Sequence, residues 1–190
     1  MGTSVSHRSP DTPNWRAVSL AYKYDSVPIK RAVEEIWRAA TNQPDANLAV
    51  DLGTPIIARC LSIVVNSVTR EEAVFNASRE IALSRQVSLA SDIALRALVQ
   101  SFASAEDRVS AFTKSLFAEA SNYLVSRDLS GYIGREGRAR TVKESIELKN
   151  QIRDQITQIV ISVPHPTDLV KETSWHNYVA DVVSHLSGKS

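Results

Sequence analysis

Apolar side chains return at helical intervals along most of this chain, and the rows they form predict a series of amphipathic helices. Ser26 and Pro28 open the first, which runs to about Thr41 with Ile29, Val33, Ile36 and Ala40 on one face. Thr54-Pro55 reads as an N-cap followed by a first-turn proline, and Ile57, Leu61, Val64, Val65 and Val68 form the row behind it. Thr69-x-x-Glu72 has the form of a capping box and opens a helix that carries Val74, Ala77 and Ile81 inward. From about Ser88 to Ala103 the row is Leu95, Leu98, Val99 and Phe102. After a cap at Ser104-x-x-Asp107 it is Val109, Phe112, Leu116, Ala120 and Tyr123. Thr141-x-x-Glu144 opens a long helix with Ile152, Ile156, Ile159 and Val160 inward, and Pro164-His165-Pro166 stops it. Thr167 or Asp168 caps a last helix bearing Trp175, Val179, Val182, Val183 and Leu186, which frays at Gly188.

The distribution of chain-breakers supports this reading. Residues 56–130 contain neither Gly nor Pro. Helices with tight, capped joints tolerate that, whereas a string of hairpins generally needs Gly or Asn-Gly turns. The expected fold is all-α: a compact bundle of six or seven amphipathic helices over residues 26–188. Many Val and Ile sit in these helices at a small cost in propensity, so tertiary packing must hold them.

Residues 1–25 read differently. Pro10 and Pro13, among Ser, Thr, Asp and Asn, mark a flexible tail, and Val18, Leu20, Tyr22 and Tyr24 alternate at the period of a strand. The expectation is an extended arm that lies over the bundle or docks on a neighbouring subunit. Trp15, Leu20, Tyr22, Tyr24 and Trp175 are the interface candidates, with cover of the chain's own bundle as the alternative.

Charge and cysteine content narrow the chemistry. Lys and Arg number 22 against 21 Asp and Glu, so no global field announces nucleic acid or an acidic membrane, and any basic footprint must be local. A lone cysteine, Cys60, makes an internal disulfide impossible, and a reducing, cytoplasmic location is the simpler expectation. No apolar run approaches the roughly 20 residues that a spanning helix needs. Met1-Gly2 with Ser6 matches the acyl-acceptor pattern, which makes Gly2 a lipidation candidate; one acyl chain would anchor only marginally.

Catalytic constellations do not emerge. His7, His165, His176 and His185 lack metal-ligand spacing and read as surface or cap histidines, and Cys60 lies in an apolar row, where burial makes a thiol inert. No nucleophile elbow or phosphate-binding glycine motif occurs. No enzyme, metal or cofactor is therefore expected.

The segment from Ser130 to Lys143 holds the most suggestive chemistry. Gly131, Gly134 and Gly137 recur among Arg135, Arg138, Arg140 and Lys143, with Arg127 close by and a helix N-terminus at Thr141. Glycine permits close backbone approach, arginine grips phosphate with paired hydrogen bonds, and free N–H groups favour an anion. The competing reading is a surface linker whose arginines pair with Glu136, Glu144 or Glu147. The functional expectation is a non-enzymatic helical protein that self-associates or docks on a partner. The alternative is a nucleic-acid-binding structural subunit, such as a nucleoprotein, coat or small ribonucleoprotein subunit, contacting RNA or DNA backbone through residues 127–143.

Overall fold

The computed structural model describes residues 17, 18, 21, 24, 26–42, 48–85, 88–129 and 139–189, with the side chains of 127–129 excepted. Among these residues the chain is all-α, as expected, and forms eight helices: α1 (Ile29–Thr41), α2 (Leu48–Leu52), α3 (Pro55–Asn66), α4 (Arg70–Ser84), α5 (Leu89–Ala103), α6 (Arg108–Leu129), α7 (Val142–Ser162) and α8 (Glu172–Leu186). α2 was not anticipated, because five residues are too few to show a period.

α6 is the axis of the bundle: α1, α3, α5 and α7 all pack on it. It contributes Phe112, Leu116, Phe117, Ala120 and Leu124 to one continuous core that reaches from Val18 to Leu186. α8 closes the other side against α1, α2, α3 and α7. α4 sits at the edge, packed on α3 and α5.

Several local expectations hold, and others shift for identifiable reasons. Thr69 accepts from Glu72 N (3.2 Å), and Thr141 and Glu144 form a reciprocal capping box. α6 begins at Arg108, not after Ser104, because Asp107 is the residue whose carboxylate accepts from Ser110 N (3.0 Å). α8 begins at Glu172, beyond the expected cap. Thr167 to Val170 form a turn instead, in which Asp168 is held by the Ser174 hydroxyl (2.8 Å). The α3 row stops short of Val65 and Val68, which are 42% and 80% exposed. Helix α3 ends at Asn66 and Ser67 is extended, so Val68 leaves the helical register.

On α5 the buried row is rotated toward small residues: Ala90, Ile93, Ala94, Ala97, Leu98 and Ser101 face inward, while Val99 stays 39% exposed. Small side chains let α5 and α6 approach closely, and packing decides the face. The buried hydroxyls are satisfied locally: Ser101 donates to Leu98 O (2.7 Å) and Ser121 to Phe117 O (2.8 Å). The N-terminal arm needs correction where it is described. Ala17, Val18 and Ala21 are helical rather than extended, and Val18 and Ala21 are buried. The aliphatic pair at i and i+3 packs on the core, which outweighs the two-residue alternation.

Candidate functional site

The glycine-arginine segment is described only at its C-terminal end. Gly2, Trp15, Leu20, Tyr22, Arg135, Arg138 and the side chain of Arg127 lie outside the described residues. Arg140 has an exposed side chain, and its backbone N–H donates to the Glu144 carboxylate, which also accepts from Thr141 N (3.2 Å). The Glu144 carboxylate thus holds the two N–H groups that precede α7, while Glu144 N donates to Thr141 Oγ1 (3.2 Å). Lys143 stands in solvent and pairs with Glu147 (3.8 Å). Trp175 is not an interface anchor: it is fully buried, and its indole N–H donates to Leu52 O (2.8 Å). Tyr24 is 49% exposed, and its carbonyl accepts from Val27 N (3.1 Å).

The surface that gathers unexpected features is the outward side of α4. Successive helical residues turn by about 100°, so Glu72, Phe75, Arg79 and Leu83 fall within an arc of about 80°, opposite the buried Ala73, Ala77 and Ile81. Phe75 and Leu83 are each 68% exposed. Val68 lies two residues ahead of the helix, before its extended N-cap Thr69. A residue in its position commonly folds back onto the first turn as a hydrophobic staple, yet it is 80% exposed.

The α4 end that carries Val68 is held rigidly. The Arg108 guanidinium, stacked 4.3 Å from the Phe102 ring, donates to the carbonyls of Val64 (3.3 Å), Ser67 and Val68 (3.3 Å). Val68 N donates to the Glu72 carboxylate (2.9 Å). A cation from α6 therefore closes the C-terminus of α3 and fixes where α4 starts. Sequence reading overlooked this face because the inward row of α4 accounts for the helix by itself. The available signal was Phe75, about 160° around the helix from Ala77.

Three other features are present. A groove of about 490 Å³ between α5, α6 and α7 is lined by Gln100, Glu106, Lys114 and Arg153, and the buried Gln100 Oε1 has no hydrogen-bond partner among the described residues. It adjoins a smaller one of about 180 Å³ lined by Ile146, Lys149 and Arg153. An apolar groove of about 320 Å³ between α2 and α8 is lined by Ala49, Val50, Val179 and Val183, with His176 at its edge.

His165 is neither a surface nor a cap histidine. Its Nε2 is 2.9 Å from the Tyr178 hydroxyl and 3.3 Å from Thr113 Oγ1, and its ring meets Tyr178 edge-on at 5.1 Å. Burial pulls its pKa below the ordinary histidine value, with Asp107 opposing and Lys114 reinforcing the shift; burial also pushes the Tyr178 hydroxyl up to about 12. Neither His165 nor Tyr178 lines the grooves above. Their arrangement braces the Pro164–Pro166 turn against α6 and α8. Cys60 is fully buried, and burial, with Glu80 adding, raises its thiol to about 12, so it is no nucleophile at neutral pH.

Among the described residues no cluster of His, Cys, Asp or Glu is disposed to hold a metal, and no helix is long and apolar enough to cross a membrane. Comparison of the chain with protein-family models, with curated proteins and with solved structures finds no match.

Proposed function

We propose that this chain is a non-catalytic helical assembly protein that works by docking another protein surface on the outward face of α4. The carrying observation is Phe75 and Leu83, each two-thirds exposed on the outward face of α4 and interleaved with Glu72 and Arg79, with the exposed Val68 just ahead of the helix. Single exposed apolar residues are ordinary. Two on one helical face, one of them a phenylalanine, with a third exposed just ahead of the helix and charge between them, match the apolar centre and polar rim of an interface. The local rigidity supplied by Arg108 and the Thr69 cap keeps the face preformed, which lowers the ordering cost of association.

The test is light scattering with size-exclusion chromatography on the wild type and on Phe75→Asp/Leu83→Asp. Both positions are exposed, so the variant should keep its circular dichroism spectrum and lose its complexes. A variant that retains them would refute the use of this face.

A second reading, contact with a nucleic-acid backbone, draws on Lys149 and Arg153. They follow Lys143 along α7, and neither has an ion-pair partner among the described residues. Of its other described components, Lys143 forms an exposed pair with Glu147 (3.8 Å), and the Glu144 carboxylate accepts from Thr141 N. A salt-dependent mobility shift with generic single-stranded RNA, flattened by Lys149→Ala/Arg153→Ala, would support it; absence of binding in low salt would remove it.

A further inference from the structure

Resting on the reading of α4 as the docking face, we infer that its partner is a second copy of this chain, paired α4 to α4 in antiparallel fashion about a two-fold axis beside Phe75. From Val68, just ahead of α4, and on along the outward face of the helix, the order of side chains is palindromic in character: Val68, Glu72, Phe75, Arg79, Leu83. Reversed and laid against itself, with the axis between Phe75 and Asn76, it sets Val68 against Leu83 of the second copy and Glu72 against Arg79. The two Phe75 rings then flank the axis. Apolar meets apolar, acid meets base, and each contact occurs twice, as a closed two-fold interface requires.

Charge selects this orientation over the parallel one. A parallel pairing in register would set Glu72 on Glu72 and Arg79 on Arg79, and like charges placed face to face are disfavoured. Arg79 has no ion-pair partner among the described residues, and Glu72, a full two turns away on its own helix, is out of its reach. The Glu72 carboxylate receives Val68 N through one oxygen only. The edge position of α4, with neighbours α3 and α5 behind it, leaves room for a second helix.

An interface built on one 15-residue helix is smaller than the roughly 1,200–2,000 Å² typical of stable complexes, so the dimer is expected to be concentration-dependent.

The experiment follows the mass of the full chain by light scattering across a wide concentration range, then the register by cysteine crosslinking. The expected mass rises from 20.9 kDa toward twice that value, and Phe75→Asp raises the dissociation constant at least about tenfold, as loss of a central aromatic anchor does. The single native thiol, Cys60, is buried and stays out of the reaction. Val68→Cys protein mixed with Leu83→Cys protein should oxidise to a disulfide-linked dimer, while either variant alone should not.

A chain that stays monomeric at every concentration would overturn the second-copy inference while leaving the docking face to another protein. Association abolished by Phe75→Asp but without the mixed disulfide would overturn the antiparallel register alone. Association indifferent to Phe75→Asp would overturn the reading of α4 itself.

Discussion

At the scale of single residues, two fully buried tryptophans, Trp37 and Trp175, join distant parts of the chain. Trp37 is fully buried, packs 6.0 Å from Phe117, and donates its indole N–H to Ser121 Oγ (3.0 Å). Trp37→Ala should therefore cost about 3–5 kcal/mol in denaturant unfolding, and Ser121→Ala about 1–3 kcal/mol, since it strands a buried donor. His165 yields a pH prediction. Its native pKa is depressed, so the unfolded chain binds the proton more readily, and stability falls as pH drops through the ordinary histidine value of 6.5. Calorimetry should show Tm decreasing below that point, and His165→Gln should flatten the decrease. Trp175 shares a helical face with Val179 and Val182, a signal that favoured burial over an interface role. The setting of His165 was not legible, because Thr113 is 52 positions away and only tertiary folding brings them together.

At the scale of elements, local chemistry was the readable part. Caps depend on side chains three residues apart, so Thr69 and Thr141 announced α4 and α7 before any packing was known. Thr141→Ala should lower stability by about 0.5–2 kcal/mol, measured by thermal unfolding. The end of α4 carries a different signature. Arg85 adopts a left-handed conformation at φ 54°. The left-handed region costs a non-glycine residue about 1–2 kcal/mol, and glycine loses about 0.5–1 kcal/mol in chain entropy. Arg85→Gly should thus stabilise the protein slightly, by about 0.5 kcal/mol, the difference between those effects. What sequence could not supply was phase. On α5, packing against α6 selects the alanine face over the row that includes Val99, and α3 ends before Val68 can continue its stripe.

At the scale of the whole molecule, the bundle is tied from its first full helix to its last. Arg38 of α1 donates to Ser187 O (2.8 Å) just beyond α8, and it shares Glu35 with Arg31 at 3.0 and 2.6 Å. Gly188 sits beside this cluster at φ 65°, where an added Cβ would come within 2.9 Å of Glu34 Cδ. Gly188→Ala should cost about 1–2 kcal/mol and loosen the α1–α8 contact, visible as faster hydrogen exchange in both helices. The α4 face was invisible to a reading that asks only which residues point inward, since its exposed apolar residues run counter to the row that defines the helix. The glycine-arginine segment, which sequence reading emphasised, contributes Arg140 and Lys143 to the described structure, where Lys143 forms an exposed pair with Glu147 and the N–H of Arg140 is held by Glu144.

The closure of the bundle by α8 bears on how the chain must be made. Helices α1, α2 and α3 all rest in part on α8, so during synthesis the portion of their apolar surface that α8 covers stays open after α4 to α7 have packed, until α8 itself has left the ribosome. Over that interval the nascent chain is a substrate for chaperones, and slow translation ahead of α8 would prolong its exposure to aggregation.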